Sequence, residues 1–136
     1  MKIVLDTNVI VSGLLNPFSS SGEIVRMVAS GVLEICYDSR ILSEYRSVLF
    51  RPKFRFNKAS VDFLLDQIKS CGHVVAAKPL RIRLPDPYNE PFLEVALQEK
   101  AKCLVTGNLR HYPAKRRSNM TILPPSDFLK LYWHLK

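Results

Sequence analysis

Four stretches of this 136-residue sequence set an acid or an amide where chemistry could use one. Asp6 closes Ile3-Val4-Leu5-Asp6-Thr7-Asn8, directly after an apolar run. Glu44 lies midway along Ser39–Phe50, on the border of that segment's apolar stripe at helical spacing. Asp86 and Asn89 stand in Leu84-Pro85-Asp86-Pro87-Tyr88-Asn89-Glu90-Pro91, and Asn108 ends Leu104-Val105-Thr106-Gly107-Asn108. Each also has a plain structural reading. Asp6 suits the cap of a helix opening at Thr7–Val11, and Glu44 suits a solvated helix position. Acids near Asn89 complement the positive end of a helix, and Thr-Gly-Asn suits a turn. Gathered on one rim of one sheet, the same groups form an oxygen-rich cluster able to hold a hard divalent cation such as Mg²⁺ or Mn²⁺.

The elements that must gather them alternate in type. Lys2–Leu5 and Cys103–Thr106 read as buried parallel strands, with Leu33–Tyr37, His73–Ala76 and Met120–Leu123 as shorter ones. Apolar residues at helical spacing predict helices over Gly22–Ser30, Ser39–Phe50, Asn57–Ser70, Asn89–Lys100 and Ser126–Leu135. Gly31 and Gly72 follow two of these helices as C-terminal caps, Asn57 is an N-cap, and Pro91 falls in a first turn. Such alternation predicts an α/β fold with a parallel sheet covered on both faces. Ligands of such folds sit beyond the carboxyl ends of the strands.

Composition narrows the field further. Apolar residues make up 47% of the chain, enough to fill the core of one domain spanning 1–136. No apolar run approaches the roughly 18 residues of a membrane span, and Asp6 interrupts any leader-like stretch. Cys36, Cys71 and Cys103 are odd in number and far apart, which predicts a reduced, cytoplasmic protein without a zinc knuckle or redox dithiol. Twenty Lys+Arg against twelve Asp+Glu leave a net charge of +8, which tilts the odds towards a polyanionic partner. His73, His111 and His134 fall in unrelated contexts and read as surface or packing residues.

The four stretches, in this order and spacing, resemble the PIN domain, most closely the small prokaryotic VapC-like branch of toxin–antitoxin toxins. The resemblance runs through Asp6-Thr7-Asn8, Glu44 ahead of Leu49-Phe50-Arg51-Pro52, Asp86–Ala96 and Thr106-Gly107-Asn108, nearly the whole chain. It implies a three-layer α/β/α sandwich with a central parallel sheet, and a ribonuclease dependent on Mg²⁺ or Mn²⁺. By motif, Asp6 is the first acid and principal metal ligand, and Glu44 the second. Asp86 keeps the leading acid of the third motif. Asn89 and Asn108 occupy the usual third and fourth acidic positions as neutral ligands or orienters. Thr7, Asn8, Ser12 and Thr106 are supporting polar groups. Two amides in place of carboxylates weaken attraction for a dication, so one metal fits better than two.

The resemblance carries partners with it: RNA, a small antitoxin protein and a second copy of the chain. Arg51, Lys53, Arg55 and Lys58, interleaved with Phe54 and Phe56, form one basic segment suited to an RNA backbone. Arg110 and Lys115, with Arg116 and Arg117, form another directly after Asn108. The final helix holds Leu129, Leu131, Tyr132, Trp133 and Leu135, more large apolar residues than one buried face needs. A second reading keeps the fold and removes the chemistry: a degenerate PIN domain that binds RNA or protein without cutting.

Overall fold

The central strand of the sheet is the apolar run that ends at Leu5. A computed structural model describes residues 1–136. In it β1 (Lys2–Leu5) buries Ile3, Val4 and Leu5 almost completely, as a strand covered on both faces must. The others are β2 (Glu34–Tyr37), β3 (His73–Val74), β4 (Leu104–Val105) and β5 (Ile122–Leu123). All pairings are parallel, in the order β3-β2-β1-β4-β5. Lys2 lies opposite Glu34 and Leu5 opposite Val105, so β1 separates the early strands from the late ones. The strand order reverses between β1 and β4, and the crevice beyond their carboxyl ends is where such a sheet binds ligands.

Six helices cover the sheet: α1 (Thr7–Leu15), α2 (Ser20–Ala29), α3 (Ser39–Leu49), α4 (Lys58–Cys71), α5 (Glu90–Glu99) and α6 (Pro125–Leu135). The α/β sandwich with a central parallel sheet matches expectation, and α3 to α6 lie within a residue or so of their predicted ends. Asp38 caps α3 through the Ile41 N–H, and Asn57 caps α4 through the Ser60 N–H, each at 3.0 Å. α2 begins earlier than expected, because Ser19 accepts from the Gly22 N–H at 3.1 Å. It ends as predicted at Gly31, whose φ of +79° suits glycine.

The main difference is α1, of which only a first turn was expected. Thr7, Val9, Ile10 and Val11 are strand-favouring types. Packing against α2 overrides that preference. Gly13 makes the approach possible: a Cβ there would sit 2.6 Å from the Ser21 carbonyl oxygen and from Val25 Cγ2. The short strands stop earlier than their apolar runs suggest, yet the Thr106 N–H still reaches the Leu123 carbonyl at 3.0 Å.

The core is one cluster of 35 buried apolar residues. Cys36 and Cys103 lie inside it as free thiols, which burial pushes up to about 11 and about 12 respectively. At neutral pH they are inert protonated thiols. α6 turns Phe128, Leu129 and Tyr132 inward, while Trp133 and Leu135 face outward. No helix is long and apolar enough to cross a membrane.

Candidate active site

Asp6 stands where β1 hands over to α1, at the point of strand-order reversal. Its backbone occupies the N-cap position, with φ −66° and ψ 142°, yet its side chain makes no capping hydrogen bond. The carboxylate turns instead to the neighbouring strand end, where Oδ2 accepts from Thr106 Oγ1 at 2.9 Å and from the Tyr112 hydroxyl at 3.1 Å. Of the two readings of Asp6, capping is therefore the one the side chain does not take. Only 4% of Asp6 is exposed, and this burial pushes its carboxyl above the ordinary range, against the pull of its two donors. Both side-chain donors converge on Oδ2, and no side chain donates to Oδ1.

Glu44 reaches the same place from α3. It is half-buried, and Oε2 accepts a hydrogen bond from the Thr7 hydroxyl in the first turn of α1. Burial pushes its carboxyl up first, and the nearby charges of Asp6 and Asp86 add to the rise. A cavity of about 510 Å³ has Asp6, Thr7, Asn8, Ser12, Glu44 and His111 in its wall. Asn8 braces the rim, its Oδ1 accepting from the Gly107 N–H at 2.9 Å. Thr7, Asn8, Ser12 and Thr106 thus all fall around the two carboxylates.

The remaining predicted residues are placed differently. Asp86 is exposed and caps its own turn, Oδ1 accepting from the Tyr88 N–H at 3.0 Å, and it does not line the cavity of Asp6 and Glu44. Asn89 is buried just ahead of α5, and its Nδ2 has no partner. Asn108 is fully engaged: Oδ1 accepts from the Arg110 N–H, and Nδ2 lies 3.1 Å from His111 Nε2. No three of the His, Cys, Asp and Glu side chains converge to hold a metal ion. The four expected ligands Asp6, Glu44, Asp86 and Asn89 therefore do not form one ready cluster, and the acidic centre is the pair Asp6 and Glu44.

Four contributors escape the sequence reading. His111 was expected at the surface or in packing; it lines the acidic cavity, and an amide nitrogen can only donate to its Nε2. The other ring nitrogen, Nδ1, is buried without a partner. Tyr112 is fully buried and holds Asp6, and Arg117 Nε in turn donates to the Tyr112 carbonyl at 2.7 Å. Glu94 accepts from the Leu80 N–H at 3.1 Å and pairs with Arg40 at 2.8 Å, while Glu90 takes the Leu84 N–H at 3.0 Å and Arg83 at 2.8 Å. These two buried glutamates tie the segment before Asp86 to α5. The sequence marks them only as acids near a helix start, which gives no sign of the N–H groups and arginines they receive.

The expected RNA-binding cations Arg51, Lys53, Arg55, Arg110 and Lys115 are all exposed, and only Arg51 lines a cavity beside Glu44. Phe54 and Phe56 stack on each other, with centroids 5.2 Å apart, and Lys53 Nζ lies 5.0 Å from the Phe54 ring centre.

A parallel sheet with one buried and one half-buried carboxylate beside its switch point defines an α/β protein whose acidic cleft would attract cations. The chain belongs to the PIN domain family, whose profile matches residues 2–110. The fold is similar to a chain in the crystal structure of VapBC2 from Rickettsia felis bound to a DNA fragment from its promoter. The TM-score is 0.58 and the identity 21%, over 91% of this chain and 98% of that one. No curated protein matches the chain by sequence.

Proposed function

We propose that this protein is a ribonuclease that hydrolyses RNA phosphodiesters with the help of one Mg²⁺ or Mn²⁺ ion. The observation that carries the reading is the pair Asp6 and Glu44 at the wall of one cavity, both with carboxyls raised by burial. Two neighbouring carboxylates whose burial disfavours the charged form gain most from a cation between them. The residues fit such an ion as a two-carboxylate site at Asp6 and Glu44, with the charge of Asp86 near enough to Glu44 to be felt there. When bound, the ion would lower the pKa of a water and shield charge on the phosphate.

The chain's own groups do the rest. Thr106 and Tyr112 fix Oδ2 of Asp6, and Oδ1, which no side chain engages, is the oxygen left to face a cation. Thr7 orients Glu44. Asn89 keeps an N–H without an acceptor, and a buried orphan of this kind is costly unless something serves it. Arg51, Lys53, Arg55, Arg110 and Lys115 supply an exposed basic surface for the RNA backbone.

The likeness to VapBC2 and the PIN membership support a finer reading, the toxin of a toxin–antitoxin pair acting as one domain in the cytoplasm. A small antitoxin and a second copy of the chain are its protein partners, and the outward Trp133 and Leu135 suit such contacts. A competing reading rests on Asn89 and Asn108, which bring no charge to positions where the family carries acids. It makes the protein a binder that does not cut.

Incubation with labelled single-stranded RNA and Mn²⁺ or Mg²⁺ separates the two. Cutting that Asp6→Asn abolishes supports hydrolysis. No cutting by the native chain, with activity gained in Asn89→Asp, supports the binder.

A further inference from the structure

The acidic cavity does not end at Glu44. A second groove of about 760 Å³ opens between α3 and the turn at Pro87–Asn89, and Glu44 and Val48 line both spaces. The two spaces therefore adjoin along Glu44 and Val48, and Tyr88 lies in the second groove. The floor of that groove is a single face of α3, with Ser43, Glu44 and Ser47 at helical spacing and Arg51 just past the helix end.

Tyr88 forms the facing wall and is 80% exposed. Pro87 precedes it and Pro91 follows, each with a fixed φ, and Asp86 holds its N–H at 3.0 Å. The ring is thus presented to solvent from a stiff turn, so little loop entropy is lost when something packs on it.

The charges of the groove sort into committed and uncommitted groups. Arg40 is held by Asp38 at 2.6 Å and by Glu94 at 2.8 Å, and Glu90 is held by Arg83. Glu44 accepts from Thr7. Arg51 makes no ion pair. What remains available is one flat aromatic face, one guanidinium and two serine hydroxyls. A nucleotide presents the matching set: a base to stack, a phosphate for the guanidinium and ribose hydroxyls for the serines.

We infer that the groove is a nucleotide subsite, in which an unpaired base of single-stranded RNA stacks on Tyr88 while an adjoining phosphate meets Arg51. A base inside a duplex has no free face to offer, so the groove selects unpaired strands. The inference deepens the ribonuclease reading and rests on it only for the fate of the strand, because binding here requires neither a metal nor Asp6.

The test is binding without cutting. A fluorescein-labelled, eight-nucleotide, mixed-sequence single-stranded RNA is titrated by anisotropy in EDTA against the native protein, Tyr88→Ala, Tyr88→Phe and Arg51→Ala. Loss of one stacked base predicts affinity about tenfold weaker in Tyr88→Ala and nearly native in Tyr88→Phe. Arg51→Ala weakens binding and lowers the slope of log affinity against log salt by about 0.7. A base-free ribose-phosphate strand of the same length binds more weakly to the native protein and is indifferent to Tyr88→Ala. Thermal melts confirm that the exposed Tyr88 is dispensable for folding.

Three results overturn the subsite: native affinity in Tyr88→Ala, equal affinity for the base-free strand, or no binding of the RNA by the native protein. Tyr88-dependent binding without cutting in Mn²⁺ retains the subsite and removes the hydrolysis. Cutting in Mn²⁺ with Tyr88→Ala as tight as native retains the hydrolysis and removes the subsite.

Discussion

Tyr112→Phe removes one oxygen from the interior and leaves the ring where it packs. That oxygen donates to Asp6 Oδ2 at 3.1 Å, and Tyr112 is fully buried, so no water replaces it. A hydrogen bond to a charged acceptor contributes about 1.5–3 kcal/mol, and Thr106 stays on the same oxygen, which places the loss at about 1.5 kcal/mol at pH 7. For a domain of this size that is a fall in Tm of about 5 °C. The loss depends on pH with a definite sign. The hydroxyl favours the ionised carboxylate, so its contribution is largest where Asp6 is charged. It shrinks as pH falls towards the ordinary carboxyl value of 3.8, to about 0.5 kcal/mol once Asp6 is protonated. Urea melts of both proteins at pH 7 and pH 4 measure the difference. Carbon-13 NMR titration of Asp6 gives a second readout, and its carboxyl must move further up in the variant. Equal destabilisation at both pH values, or an Asp6 titration unchanged by the substitution, would refute the account of how Asp6 is held.

Further expectations follow from the same carboxylates. Burial raises the Asp6 carboxyl in the folded state, so the folded chain binds more protons than the unfolded one just above pH 3.8, and stability falls as pH rises through that window. Asp6→Asn cannot ionise, so without metal it should melt higher than the native protein at pH 7, with the gap closing towards pH 4. Calorimetry across that range checks it, and a variant less stable at pH 7 contradicts it. Mn²⁺ should raise the native Tm by mass action and leave Asp6→Asn unmoved; equal shifts would place the ion elsewhere. Glu94→Ala strips the acceptor from the Leu80 N–H and the partner from Arg40, and should cost about 2 kcal/mol. Hydrogen exchange should show residues 78–86 losing protection first, and uniform loss across the chain would count against a local tie.

The sequence states its elements where a local signal exists and is silent where geometry is made by distant parts. Asn57, Gly31 and Pro91 punctuate helices by their own conformational chemistry, and the run ending at Leu5 reads as a strand from its apolar types. The β-branched residues after Asp6 point the other way, and only the close approach at Gly13 makes them a helix. Asp6 and Glu44 were legible by type and position. Tyr112, however, meets Asp6 across 106 residues, a contact that no spacing announces, and His111 shares a cavity wall with Asp6 from the same distant segment. Glu90 and Glu94 read as surface acids near a helix start, yet their work is to receive backbone N–H groups from a segment with no regular structure of its own.

The distance in sequence between Asp6 and its donors has a consequence for synthesis. Thr106 lies 100 residues and Tyr112 lies 106 residues downstream. Until both have left the ribosome, Asp6 belongs to a strand lacking its β4 neighbour, with its carboxylate hydrated and unoriented. Contacts of such long range close late in folding. The Asp6 carboxylate is therefore among the late parts of the molecule to be held in place, and most of the chain is synthesised before either of its donors exists.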